Sequence, residues 1–208
     1  EPTNMFDQGN DSNTGGSQGL FKLEKEYSEN YKKLERFFNK LRTKYDINDI
    51  DPLFESQYLK QVQTISDNDF TQLMKKLVND TKQKYKDKIE NRELMFTKLK
   101  REYSDPNLSE YKKIIDNAYK TNSVSYVLEQ LRRQILNMLT KAKDHVILNK
   151  LNSRYNRGSD RYETYISTLS VKYEQLKSQI MTDDYIINVF PNLQMSFKTI
   201  LGNEVDKR

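Results

Sequence analysis

The chain has 208 residues, no cysteine and a net charge of +5, from 35 basic and 30 acidic residues. The lack of cysteine excludes a disulfide framework and a thiolate zinc site. The mild charge excess does not form the dense basic stripe that specific nucleic-acid binding usually needs. No run of about 18 apolar residues occurs, so no transmembrane helix is predicted. The length suits one domain with its own core.

Residues 1–19 are rich in Asn, Asp, Ser, Gln and Gly and have no apolar periodicity. This composition predicts a disordered N-terminal segment. The sequence begins at Glu1 without a methionine, so we expect either that a secretory leader is removed before this residue or that the sequence starts inside its gene; the first alternative underlies the secreted class below. Residues 20–208 are predicted to form a single helical-bundle domain.

Apolar and aromatic residues recur on steps of three and four between Leu20 and Tyr45, which predicts a helix with one apolar stripe. These residues are Leu20, Leu23, Tyr27, Tyr31, Leu34, Phe38, Leu41 and Tyr45. Asp51 followed by Pro52 is typical of an N-cap and the first residue of a helix. A short second helix is therefore predicted, ending near Ile65.

A longer stripe from Asp67 to Tyr103 predicts one continuous helix of about 55 Å. Ser66 precedes it as the expected N-cap residue. Between Asp80 and Arg92 the stripe is polar except for two residues. This part of the helix is therefore expected to be exposed or bent.

The helical pattern stops at residues 104–107, where a proline lies in a polar turn sequence. A short helix is predicted over residues 109–119. The most apolar stripe of the chain then runs from about Val124 to Tyr155, and the following helix from Asp160 to about Met181.

The segment from Tyr185 to Pro191 is apolar and rich in β-branched residues. No partner strand is evident, so we expect a helical or extended segment that packs on the bundle. A final helix is predicted from Asn192 to Leu201, ending at Gly202. Together these elements predict an all-α fold, an elongated antiparallel helical bundle of about four long helices with short connecting helices.

Six lysines of the predicted long helix form the one candidate contact surface, which we call the lysine run. They are Lys75, Lys76, Lys82, Lys84, Lys86 and Lys88. Their spacing spreads the charges around the helix, as on an ordinary solvated surface. The functional interpretation is weak contact with an anionic membrane surface.

His145 is the only histidine, and we expect it to be an ordinary, partly exposed helix residue. A di-iron bundle needs Glu-x-x-His motifs on facing helices, and the sequence has none. No nucleophile with a placed base can be recognised either. The sequence therefore predicts a non-enzymatic protein without catalytic residues, cofactor or metal.

The Lys-, Asn- and Tyr-rich composition, the expected leader, the absence of cysteine and the helix layout resemble the secreted proteins of malaria parasites. Within that group the chain is similar to the SPECT-like family, which sporozoites use for cell traversal. This resemblance covers about Leu20 to Leu201 and transfers no site residue. It implies a secreted bundle that contacts a host membrane or a membrane-associated protein.

The residues also leave a second class open. An intracellular helical scaffold or adaptor would use its apolar seams to bind partner helices. A secretory signal encoded upstream of Glu1 would favour the first class, and further helical heptads upstream would favour the second.

Overall fold

The structure is a computed structural model that describes residues 20–151 and 158–206. Every secondary-structure element in these two ranges is an α-helix, a 3₁₀ turn or a π turn, and none of these residues forms a strand. The predicted all-α class is thereby confirmed. The arrangement as about four long antiparallel helices stays a prediction, and the predicted disorder of residues 1–19 lies outside the described residues.

The described chain divides into two compact units between Glu93 and Leu94. The single domain predicted over residues 20–208 stays a prediction. Each unit has a buried apolar cluster of its own, drawn from residues 34–89 in the first and 96–205 in the second. Two cores form because the polar middle of the predicted long helix supplies few apolar side chains to connect them.

The first three helices of the first unit begin where the sequence predicts, and a fourth begins at Lys86, inside the predicted long helix. They are α1 (Leu20–Tyr45), α2 (Pro52–Gln61) with the 3₁₀ turn Val62–Thr64, α3 (Asp67–Lys84) and the first part of α4 (Lys86–Glu102). The Asp51 carboxylate accepts a hydrogen bond from the Leu53 amide at 3.0 Å. The Ser66 hydroxyl accepts one from the Asp69 amide at 3.3 Å. Both residues are therefore N-caps, as expected.

The prediction of one continuous helix over residues 67–103 is wrong. α3 ends at Lys84, and Tyr85 has φ −114° and ψ 27°, outside the helical region. The Tyr85 hydroxyl accepts a hydrogen bond from the Asp51 amide at 3.3 Å, and its ring meets the Phe54 ring edge-on at 6.2 Å. We attribute the break to these contacts, which act where the apolar stripe is weakest.

The second unit contains the end of α4 and four further helices. They are α5 (Ser109–Thr121), α6 (Val124–Val146), α7 (Asp160–Ile180) and α8 (Phe197–Asp206), with the 3₁₀ turns Pro106–Leu108 and Phe190–Asn192 and the π turns Ile147–Leu151 and Tyr185–Val189. α6 gives way to the π turn after Val146, and the predicted helix end near Tyr155 lies outside the described residues. This turn buries Leu151 and leaves Leu148 61% exposed.

The predicted bounds of the last helix are also wrong. α8 begins at Phe197 rather than Asn192, and it continues through Gly202. The Ser196 hydroxyl accepts a hydrogen bond from the Thr199 amide at 3.2 Å, so Ser196 caps the helix. Gly202 lies inside the helix, where its carbonyl accepts a hydrogen bond from Lys150 of the π turn.

The apolar segment that starts at Tyr185 packs on the second unit, as the sequence predicted, and it is helical rather than extended. Tyr185, Ile186 and Ile187 are all buried. The buried Tyr103 hydroxyl donates to the Ile186 carbonyl at 2.6 Å. This bond satisfies one carbonyl of the π turn and joins α4 to it.

Candidate functional site

The lysine run does not form one uniform basic surface. Lys75, Lys76 and Lys82 are exposed on α3. Lys86 pairs with Glu90 one helical turn later, at 3.8 Å between Nζ and the carboxylate. Both partners of that pair are more than half exposed, so the pair contributes little to stability.

Two lysines of the run bind acids of the loop that precedes α2. Lys84 lies 3.1 Å from the Asp51 carboxylate, and Lys88 lies 3.1 Å from that of Asp49. These hydrogen bonds lower the pKa of both aspartates. Lys84 also sits over the Phe54 ring, 5.3 Å from its centroid. The charges of Lys84 and Lys88 are thus balanced by aspartates within the protein. The membrane role of the lysine run stays a prediction.

Two cations that sequence reasoning missed are buried in the first unit. The Arg92 side chain is 3% exposed; its guanidinium donates to the Lys44 carbonyl at 2.8 Å and lies 5.1 Å from the centre of the Tyr45 ring. Burial, and next the Arg92 charge, lower the pKa of Lys44 to about 8. Glu93 accepts from Arg92 at 3.3 Å and opposes this shift. The arrangement holds the end of α1 against α4.

A polar cleft of about 350 Å³ lies in the second unit, between the end of α6 with its π turn and α8. Its polar lining residues are His145, Asn149, Lys150, Lys198, Thr199 and Asn203, and Val146 completes the lining. The lining therefore carries two ammonium groups and an imidazole. The structure thus places the single histidine beside polar residues of α8.

The walls of this cleft are held together by Lys150. Its ammonium donates to the Gly202 carbonyl at 3.3 Å and forms an ion pair with Asp206 at 2.5 Å. A Cβ atom at Gly202 would lie 3.0 Å from the Lys150 nitrogen, so glycine allows this close approach. The contact fixes the π turn relative to α8.

His145 is exposed on the last turn of α6, as the sequence predicted for an ordinary helix residue. Its Nδ1 lies 3.0 Å from the amide nitrogen of Asn149. With the Asn149 amide nitrogen as the donor, Nδ1 accepts, and in that tautomer the ring proton lies on Nε2. The Nε2–H group is therefore a donor that this hydrogen bond does not use.

Sequence reasoning missed the other lining residues. Thr199 and Asn203 are four residues apart, a spacing that places them on one face of a helix. The predicted last helix ended at Leu201, however, and so excluded Asn203. The position of this helix beside His145 depends on long-range packing that no local pattern indicates.

An uncharged segment forms another surface feature of the second unit. No charged residue occurs from Tyr185 to Phe197, although 31% of the chain is charged. Val189, Leu193 and Met195 are 38%, 36% and 49% exposed. The same segment thus anchors the fold and presents three partly exposed apolar side chains to solvent.

In the described parts of the chain, no helix has both the length and the apolar character needed to cross a bilayer. Among the same residues, no three His, Asp or Glu side chains cluster so that they could hold a metal ion. No known family model matches the sequence, and neither the curated proteins nor the solved structures include a significantly similar one.

Proposed function

We propose that this chain is a non-enzymatic, secreted helical protein that contacts host-cell membranes while sporozoites traverse cells. The resemblance to SPECT-like proteins supplies the biological setting of the proposal. The observation that carries the contact itself is the uncharged segment from Tyr185 to Phe197 with its exposed apolar side chains.

Rigid anchoring supports a binding role for this segment. The Phe190 ring lies 5.2 Å from the Tyr111 ring and 5.8 Å from the Phe197 ring, in the core of the second unit. Because Phe190 is held this way, its neighbour Val189 and the nearby Leu193 stay at the surface. Little conformational entropy is then lost when these side chains bind a partner surface.

The charges beside the segment favour a lipid surface over a protein partner. Lys198 directly follows it, and the amide of Asn203 lies 3.9 Å from the Met195 sulfur. Asn203 and Lys198 both line the basic cleft. Apolar side chains next to cations suit an anionic membrane interface, where the former enter the acyl boundary and the latter meet the headgroups. Lys75 and Lys76 of the lysine run would add weak attraction.

Co-sedimentation with protein-free vesicles tests the proposal. The unmodified chain is expected to bind vesicles of phosphatidylcholine and phosphatidylserine, and the double variant L193S/M195S to bind several-fold less. Leu53→Ser is the matched control, because Leu53 is 78% exposed and lies in the first unit. This variant is expected to bind like the unmodified chain.

Two results would overturn the membrane proposal. One is equal vesicle binding by the double variant and the unmodified chain. The other is that the unmodified chain binds host cells but not protein-free vesicles, and that the double variant does not bind host cells. This outcome would mean that the segment binds a membrane-associated protein. Secretion is tested separately, by searching the gene upstream of Glu1 for an encoded signal peptide.

A further inference from the structure

We propose that the polar cleft between α6 and α8 binds a phosphate monoester group. This inference goes beyond the proposed function, since a free phosphate ester could occupy the cleft without any membrane. It rests on the charge of the lining, on the fixed geometry of its walls and on the size of the cleft.

The lining favours an anion. Lys150 and Lys198 contribute two positive charges, of which the Lys150 ammonium pairs with the Asp206 carboxylate. Lys198 forms no hydrogen bond or ion pair with the residues that the structure describes, and its side chain is exposed. A cation in this setting is available to a ligand without first breaking an internal contact.

Two donor residues of the cleft, His145 and Lys150, are held in place before any ligand arrives. The bond between Asn149 and His145 leaves the Nε2–H group of the imidazole as a donor. Lys150 fixes the opposite wall through Gly202. π turns often occur at functional sites, and the turn Ile147–Leu151 supplies both Asn149 and Lys150. Such preorganisation reduces the cost of ordering side chains around a ligand.

The type of donor and the volume specify the ligand further. Ammonium groups act as point charges and can bind the oxygens of a tetrahedral phosphate through charge-assisted hydrogen bonds. The one aromatic ring among the described lining residues is the His145 imidazole, and none of them is Phe, Tyr or Trp. The volume of about 350 Å³ has room for a phosphate and a polar body of the size of a sugar.

Nuclear magnetic resonance of the intact chain tests the cleft directly. His145 is the only histidine, so its imidazole gives one ring signal. Titration with inositol monophosphate is expected to shift this signal with saturation, while inositol alone leaves it unchanged. The variant Lys198→Ala is expected to bind on the order of tenfold more weakly, as for the loss of one charge-assisted hydrogen bond.

Lys112→Ala is the matched control, because Lys112 is an exposed lysine of α5 in the same unit and its removal changes the net charge equally. Its affinity for inositol monophosphate should match that of the unmodified chain. Circular dichroism verifies the fold of both variants. An equal loss in both variants, or a His145 signal that does not saturate, would overturn the proposal. Lys198→Glu provides a second variant, which should abolish the saturable shift.

A second arm distinguishes a free ester from a lipid headgroup. Phosphatidylcholine vesicles with and without phosphatidylinositol phosphate are compared for binding to the L193S/M195S variant, whose apolar contact is weakened. Binding that depends on the inositol lipid and on Lys198 assigns the cleft to a headgroup. Binding of inositol monophosphate without lipid-dependent recruitment assigns it to a soluble ester. If neither inositol monophosphate nor the inositol lipid binds, the phosphate-site proposal is wrong. The vesicle binding of the unmodified chain through its apolar side chains is measured separately and is not affected by that result.

Discussion

The Lys150 ammonium donates to the Gly202 carbonyl at 3.3 Å, across 52 residues of sequence. A glycine inside a helix normally lowers stability by about 1 kcal/mol relative to alanine. Here the missing side chain leaves room for the lysine, because an added Cβ would lie 3.0 Å from its nitrogen. The contact therefore explains why glycine occupies the middle of α8.

This relationship predicts a coupling between the two positions. Gly202→Ala alone should yield little or no gain in stability, since the new methyl group displaces the Lys150 side chain. In a Lys150→Ala background the same change should stabilise the protein by about 1 kcal/mol. Urea unfolding of the four proteins of this double-mutant cycle measures the coupling. Additive effects would show that the lysine does not determine the choice of glycine.

Two buried tyrosines of the second unit are predicted to respond oppositely to loss of the hydroxyl. Tyr103→Phe leaves the Ile186 carbonyl of the π turn without its 2.6 Å partner and should cost about 1–3 kcal/mol. The buried Tyr185 hydroxyl has no hydrogen-bond partner within the described part of the chain. Tyr185→Phe should therefore be neutral or stabilising, by up to about 1 kcal/mol. The urea midpoints of both variants check this, and a shift in the same direction would contradict it.

The buried Lys44 predicts a pH-dependent stability. Its pKa is about 8 in the folded chain, against an ordinary value of 10.5. Between pH 8 and pH 10.5 the Lys44 amine binds more protons in the unfolded chain than in the folded chain, so its contribution to stability rises with pH. Below about pH 8 the amine is charged in both states, and the folded chain bears the full cost of burying that charge. Lys44→Met should therefore stabilise the protein by about 1 kcal/mol near pH 7 and by less near pH 10.

Urea unfolding at the two pH values measures this effect. Lys75→Met serves as the control, because Lys75 is exposed on α3. The difference between the two variants isolates Lys44 from other groups that titrate in this range. A difference that does not change with pH would mean that Lys44 keeps its ordinary proton affinity.

Some lysines of the lysine run are predicted to stabilise the fold, and others are predicted to have no effect on stability. Lys84→Ala removes an ion pair with Asp51 and a contact with the Phe54 ring, and it should lower stability by about 0.5–1 kcal/mol. Lys75→Ala should change stability by less than about 0.5 kcal/mol. Raising the salt concentration should reduce the effect of the first change. Equal effects of both substitutions would contradict the structural role of Lys84.

Local sequence patterns predicted the elements of the fold well where the determinants were local. The bounds of α1 and the N-caps Asp51 and Ser66 depend on residues within one helical turn. The break at Tyr85 was only suggested by weak apolarity, because its partner Asp51 lies 34 residues away. The charge balance of Lys88 likewise depends on Asp49, at a separation of 39 residues.

The candidate site was much less predictable than the helices. Sequence analysis indicated the six lysines as a possible contact surface, since charges can be read directly from the sequence. It treated His145 as ordinary because its neighbours in sequence offered no chemistry. The cleft forms only when α8 packs beside the end of α6, and the predicted end of the last helix at Leu201 excluded Asn203.

The sequence by itself determined that this chain is helical and where most helices begin, because apolar periodicity and capping act within a few residues. Only the tertiary structure decided that the apolar stripes form two cores, that Lys84 and Lys88 are balanced by acids, and that two lysines and the single histidine share a cleft. These features depend on contacts between residues far apart in the chain. Such contacts are selected by the total burial and hydrogen bonding of the packed units, which no local pattern records.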